Sequence, residues 1–350
     1  MTAGRPPDSP WFLGVDGGGH KTLAIVGDAQ RNLLGVCRTG PSNHRQVGLE
    51  AAVREIRTAA LGALRDAGGR VETDVGGRVE AAAFCLAGTD LPEDETLLGE
   101  ALAAVGSGGR IGVWNDGYAV LRAGTAADRG VAVVAGSGIN AVGRVGERRA
   151  QLPALGPLTG DWGSVADLAR EALALTMRAW DGRGEPTALT AAALDVFGAP
   201  TAAALVERIA RGEFQLDDAR RLVPHLLRAA ADGDRPARRV VERLAEELAA
   251  CATAIGARLE LGDSAIPVVF GGGTVRAGGF VLERALRRST AARLPRASVV
   301  IVRHEPAWGA YLLALDLAGI DAGAPAPPRA LERRAAPSGA RSAPDPGRRA

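Results

Sequence analysis

A chain of 350 residues with 47% hydrophobic and 23% charged side chains has the size and balance of a soluble protein of two domains. Its formal net charge is +2, but residues 322–350 hold six arginines against Glu332 and Asp345, a net of +4, which leaves about −2 for the rest; that distribution excludes an electrostatic footprint for nucleic acid. No apolar run of about 18 residues predicts a membrane span, the N-terminus lacks a signal pattern, and Cys37, Cys85 and Cys251 stand too far apart for a disulfide frame or zinc site, so a cytoplasmic protein is expected.

Residues 1–10 and 321–350 are rich in Pro, Ala, Arg and Gly without periodicity and are expected to be disordered. From Trp11 an N-terminal lobe is expected over 11–126. Apolar patterning predicts strands at 11–16, 22–27 and 33–38, separated by the turn-rich GGGHK and DAQRN, hence an antiparallel meander. A helix over about 49–67 follows, then a strand at 79–86, a helix at about 93–105, a strand at 111–115 and a helix at 117–123. A C-terminal lobe is expected over 127–305. It opens with strands at 131–135 and near 141–145, continues through a long helical insertion over about 165–261, and closes with strands at 266–270 and 299–302 around another helix. The apolar segment 306–320 is expected to return as a helix to the N-terminal lobe. A three-stranded meander followed by alternating helices and strands, twice over, predicts an α/β protein of two ribonuclease-H-like (actin-like ATPase) lobes with a cleft between them.

Asp16 ends the first strand, and Gly17, Gly18 and Gly19 fill the turn to the second. Successive residues without Cβ let backbone N–H groups approach an anion closely. Lys21 is the only lysine in the chain. The pattern is neither a Walker loop nor a dinucleotide fingerprint; strand–Asp–Gly–Gly–Gly–strand suits a phosphate hairpin, or an ordinary glycine turn. As a phosphate hairpin it would place Asp16 at Mg²⁺ through water. Asp116 ends the strand IGVWND and reads as a general base for an alcohol attacking phosphorus, as a helix N-cap, or as both. The turn AGSGIN (135–140) and the run Gly271, Gly272, Gly273 each follow a strand, and each is a second place for nucleotide to meet backbone or a plain tight turn.

Taken together these segments resemble the N-acetylglucosamine kinase and BadF/BadG/BcrA/BcrD-type ATPase family over about residues 12–318. DGGGHKT is similar to the family's DGGGTKT hairpin, SNH (42–44) to its substrate loop, and LAGTD (86–90) to its LSG turn. NDGYA resembles its catalytic turn, AGSGIN its GTGSN, GDWGS (160–164) its GDEGS, and GGG its adenosine turn. The resemblance implies MgATP-dependent phosphorylation of the 6-hydroxyl of an amino sugar, with N-acetylglucosamine ahead of glucosamine, by a homodimer that binds neither nucleic acid nor membrane. It implies Asp116 as the base and Asp16 as the Mg²⁺ ligand. Gly17, Gly18, Gly19, His20, Lys21, Thr22, Ser137, Gly138, Gly271, Gly272 and Gly273 would hold ATP. Asn43, His44, Gly88, Thr89, Asn140, Gly156 and Asp161 would line the sugar with Asp116. His20 in place of threonine, Trp162 in place of glutamate, Leu155 in place of tryptophan and Ile139 in place of serine depart from the pattern. They favour, as alternatives, a different sugar or a binding regulator without turnover. An iron–sulfur activator ATPase of the same family is disfavoured, because no closely spaced cysteines exist.

Overall fold

Strands β1 (Trp11–Gly17), β2 (Thr22–Gly27) and β3 (Leu33–Thr39) form the antiparallel meander, in a computed structural model that describes residues 9–69, 78–103, 105, 109–323 and 326–335. The short helix α1 (His44–Val47) and α2 (Leu49–Asp66) follow, then β4 (Val79–Leu86), α3 (Pro92–Leu102), β5 (Arg110–Asn115) and α4 (Asp116–Gly124). The sheet order is β3-β2-β1-β4-β5, with β4 parallel to both β1 and β5. Buried at seven of its eight positions, β4 reads as a continuous apolar run because both its faces are covered. Helix α2 packs chiefly on β3 and β2, and its Ile56, Ala60 and Leu64 share one core cluster with Ala82, Phe84 and Leu86 of β4.

The chain divides into two units, residues 127–303 forming the second. It repeats the first sheet's plan with β6 (Arg129–Ala135), β7 (Ile139–Val145) and β8 (Arg148–Gln151) as an antiparallel meander. Between the meander and the next strand lie α5 (Val165–Trp180), α6 (Leu189–Phe197), α7 (Ala202–Ala210), α8 (Val223–Asp232) and α9 (Arg235–Arg258). Then come β9 (Pro267–Gly271), α10 (Gly273–Ala277), α11 (Gly279–Arg293) and β10 (Ser298–Ile301). The order β10-β9-β6-β7-β8, with β9 parallel to β6 and β10 to β9, matches the first sheet strand for strand. The polar edge strand RRAQ carries no apolar alternation, which is why pattern alone passes over it. The expected long helical tract is cut into separate helices where Gly182, Gly198, Gly212 and Gly233 take positive φ.

From His304 the chain rejoins the first unit. There α12 (Ala307–Leu317) buries Trp308, Tyr311 and Leu312 against β1, β4 and α4. A last helix, α13 (Ala330–Ala335), packs on β3 with Leu331 and Ala335 buried. Arg38 Nη1 donates to Ala335 O at 3.1 Å, Arg334 Nη2 donates to Leu34 O at 3.2 Å, and Arg334 pairs with Asp66. The expectation of disorder is corrected for 330–335, where two buried apolar side chains and two arginines fix a segment whose composition alone reads as tail. Residues 1–8, 324–325 and 336–350 of the expected disordered ends lie outside the described residues. Among the described residues no single helix is long and apolar enough to cross a membrane.

Candidate active site

In the first unit the carboxyl ends of β1, β4 and β5 lie side by side, Asp16 opposite Cys85 and Leu86 opposite Asn115. This is where open α/β sheets place their ligands. The hairpin turn is closed by Gly18 N donating to Lys21 O at 2.8 Å. A loop over residues 40–46 lies against it: Ser42 N donates to Gly18 O at 2.9 Å, and a Cβ at Gly17 would stand 2.5 Å from Ser42 Oγ. The side chains of Ser42 and Leu86, the latter 2.7 Å from the same Cβ position, are therefore the reason for glycine at position 17. Thr22 is fully buried, with its hydroxyl bonded to Gly40 O at 2.8 Å and Ser42 Oγ at 2.7 Å. It anchors the 40–46 loop from behind the hairpin. Lys21 pairs with Glu305, just ahead of α12, and His20 stands exposed at the tip.

Asn115 rather than Asp116 caps α4. Its Oδ1 accepts from Gly117 N at 2.8 Å, while its Nδ2 donates to Thr89 O and Asp90 Oδ1, both at 3.2 Å. The capping reading of Asp116 is thus corrected: Asp116 is the first residue of the helix, half-buried, in the turn where a negative charge meets the positive end of the dipole. Asn43, expected in a substrate loop, is the N-cap of α1 and accepts from Arg45 N at 3.0 Å. Gly88 (φ +88°) lies beneath it, with space for a Cβ only 2.5 Å from Asn43 Oδ1. Asn43, His44, Gly88, Thr89 and Asp116 are thereby gathered around one end of the sheet.

Three residues there have no role assigned in the motif reading, although Asp90 closes the LAGTD segment. Arg45 Nε donates to Gly88 O at 2.9 Å and lies 3.6 Å from Asp90 Oδ2, while its Nη2 donates to Asp94 Oδ2 at 2.6 Å. Asp94 also accepts from Asp90 N and Leu91 N, at 3.0 and 2.8 Å, and meets His44 Nε2 at 3.3 Å. Burial works against its charge, but the bonds from Leu91 N, Arg45 and Asp90 N outweigh it and hold the carboxyl below its ordinary range. Only Asp94, two positions after Pro92 at a helix start, was recognisable as a capping position. Asp90 is the opposite case: burial first, then the Asp116 charge, push its carboxyl up to about 6 against the pull of Arg45. Burial, then the charges of Asp16 and Asp116, push the Cys85 thiol of β4 well up.

In the second unit, Gly136 N donates to Gly138 O at 2.9 Å, leaving Ser137 exposed on the turn between β6 and β7. Gly272 (φ +99°) passes so near that a Cβ would stand 2.3 Å from Ala135 O, and the position a Cβ would take at Gly136 is 3.9 Å from Gly273 N. Ser137, Gly138, Gly271, Gly272 and Gly273 are therefore one locus, with Asn140 next along β7. Gly156 and Asp161 close a separate 3-10 turn in which Asp161 Oδ2 accepts from Gly156 N at 2.8 Å and Thr159 Oγ1 at 2.7 Å. Ser164 caps α5 in a box with Asp167. Trp162, in place of the family's acid, packs on the core and stacks under Arg243 with 3.8 Å from guanidinium carbon to ring centre. Burial, then Asp161, push the neighbouring Cys251 thiol up to about 11.

Two like-built sheets, each with glycine turns at its strand ends, have the plan of the actin-like ATPase fold. The chain belongs to the BadF/BadG/BcrA/BcrD ATPase family, whose model matches residues 13–314. It is 25% identical over 307 residues to an N-acetylmuramic acid/N-acetylglucosamine kinase of Clostridium acetobutylicum, covering 87% of this chain and 98% of that protein. An N-acetyl-D-glucosamine kinase of Dictyostelium discoideum is 25% identical over 312 residues, with the same coverage. Among solved structures, a candidate N-acetylglucosamine kinase from Chromobacterium violaceum superposes with a TM-score of 0.63 at 26% identity, over 88% of this chain and all of that one. A ROK family glucokinase from Streptomyces griseus has the same fold, with a TM-score of 0.55 at 19% identity over 87% and 99% of the two chains.

Proposed function

We propose that this protein is an ATP-dependent kinase that phosphorylates the 6-hydroxyl of an amino sugar, N-acetylglucosamine before glucosamine. The carrying observation is the start of α4: Asn115 is the helix cap, and Asp116 opens the helix at the carboxyl end of β5, beside Thr89 and Asp90, where open α/β sheets place their ligands. The sugar's identity comes from the relatives' names. Asn43 and Gly88 are sugar contacts in this reading, and the family resemblance adds Gly156 and Asp161. His44, Thr89 and Asn140 complete that set.

The sugar oxygen attacks the terminal phosphorus of ATP, the bond from phosphorus to the bridging oxygen breaks, ADP leaves, and Asp116 takes the hydroxyl proton. The protein's work is chiefly placement and electrostatics, since phosphoryl transfer needs little else. The hairpin of Gly17, Gly18 and Gly19, in which Gly18 N–H is taken by Lys21 O, is a phosphate contact in this reading, with Ser137, Gly138 and the Gly271–Gly273 turn as further nucleotide contacts. Asp16 fits Mg²⁺: it is a hard, half-buried carboxylate at the phosphate hairpin, and that ion takes few carboxylates, keeps several waters and neutralises phosphate charge. Thr22 supports the sugar loop, and Lys21 reaches phosphate only by leaving Glu305. That pairing favours the second reading, a nucleotide- or sugar-binding regulator without turnover. A cytoplasmic homodimer is the proposed working form, checked by sedimentation.

The test is ADP release measured over N-acetylglucosamine, glucosamine, N-acetylmannosamine, glucose and no sugar, with wild type and Asp116→Asn. The expected result is sugar-dependent ADP release that Asp116→Asn lowers by about 100-fold or more. Full activity in Asp116→Asn would sink the assignment of the base. Tight ATP binding with no turnover on any sugar would favour the regulator.

A further inference from the structure

Asp90 closes the LAGTD segment without a role of its own in the resemblance, yet its side chain is 8% exposed and sits at the centre of the contacts that hold the start of α4. One of its oxygens accepts from Asn115 Nδ2 at 3.2 Å, and the other lies 3.6 Å from Arg45 Nε. Asn115 in turn reaches Gly117 N with its other amide atom, at 2.8 Å. A single planar amide therefore links the Asp90 carboxylate to the first turn of α4, where Asp116 begins the helix. The backbone of Asp90 is fixed as well, since its N–H donates to Asp94 Oδ2 at 3.0 Å. Neither end of the link is free to drift.

We propose that Asp90, held between Arg45 and Asn115, is a positioning residue for Asp116 that acts through the Asn115 amide and through its own negative charge. The proposal rests on the reading of Asp116 as the base. Four groups face Asp90. Arg45 of α1 attracts, Asp94 of α3 and Asp116 of α4 repel, and Asn115 at the end of β5 donates to it. Asp94 is already satisfied by Arg45 and two backbone N–H groups, and its other oxygen meets His44 Nε2. Arg45 is thus shared between two carboxylates and leaves Asp90 only partly compensated. In consequence the Asp90 carboxyl is pushed up to about 6 by burial and by Asp116.

The repulsion between Asp90 and Asp116 is mutual. While Asp90 is ionised, its charge makes Asp116 a stronger acceptor for the sugar proton. As pH falls through about 6, Asp90 takes up a proton and that help is withdrawn. Removing the charge by Asp90→Asn therefore lowers the proton affinity of Asp116, and removing the opposing charge by Arg45→Met raises it. A side chain that only filled space would move both profiles the same way or not at all.

The experiment is the pH dependence of kcat for sugar-dependent ADP release between pH 5 and 9, on the intact protein, for wild type, Asp90→Asn, Arg45→Met and Asp116→Asn. Sugar affinity by calorimetry serves as the control for folding. In Asp90→Asn the acid limb is expected to move down by about 0.5–1 pH unit, with kcat at pH 7.5 lowered by about threefold to tenfold and sugar affinity held within about twofold. Arg45→Met is expected to move the limb in the opposite direction. The proposal is overturned if Asp90→Asn binds sugar normally and superposes on wild type across the whole range while Asp116→Asn is inactive. It is equally overturned if both charge variants move the limb the same way. An active Asp116→Asn overturns the base assignment itself, and is recognised as that separate failure.

Discussion

Gly309 on α12 touches α4 where no side chain fits: an added Cβ would stand 1.9 Å from Ala119 O and 2.8 Å from Ala123 N. In Gly309→Ala an ordinary contact of about 3.4 Å requires the two helices to part by about 1.5 Å. Both neighbours are backbone, so no rotamer change relieves the clash. Moving α12 also lifts Trp308, Tyr311 and Leu312 off β1 and β4, where all three are buried. Overpacking of a core typically costs about 1–3 kcal/mol, and a backbone clash with this much attached packing sits at or above the top of that range. For a unit of this size, about 3 kcal/mol lowers the melting temperature by about 10 °C. The assay is a thermal melt by circular dichroism, with kcat measured well below the transition. Because α4 starts at Asp116, kcat should fall further than the loss of folded protein explains. A variant melting within about 2 °C of wild type would refute the argument that close helix approach fixes this glycine.

Gly99 in α3 and Gly256 in α9 are the opposite case, since nothing lies within 4 Å of a Cβ added at either. Gly99→Ala and Gly256→Ala should each stabilise by about 0.5–1 kcal/mol, read as a small rise in melting temperature. The Arg122–Asp316 pair between α4 and α12 is bidentate, at 2.7 and 3.2 Å, and the arginine is the buried partner at 8% exposure against 33%. Asp316→Asn strands a buried cation and should cost about 3–5 kcal/mol in a denaturant titration, more than Arg122→Met, which leaves a carboxylate that water can reach. An equal or reversed order would show that the guanidinium is solvated after all.

Much of the site's skeleton is local and so was legible in the sequence. The turn glycines at 17–19, at 136 and 138, and at 271–273 mark places where backbone must turn or approach something closely, and each group follows an apolar run of strand length. Strand and helix periodicity likewise placed nearly every element of both sheets. The polar strand β8 and the breaks inside the helical tract escaped it, because an edge strand needs no apolar face and a glycine cap is visible only once its φ is known.

What the tertiary structure decided are the partners that sequence distance hides. Lys21 meets Glu305, 284 residues away; Asp90 meets Arg45 and Asn115; Thr22 turns its hydroxyl to the 40–42 loop. Propensity and pattern specify what a segment does with its own backbone. The protonation and the occupation of a side chain depend on charges and carbonyls brought in by other segments, and only the packed chain fixes those. The sequence by itself thus determined two glycine-turned sheets and a residue set resembling an ATP-dependent sugar kinase. Folding determined which carboxylate is capped, which is paired, and which is left under-compensated beside Asp116.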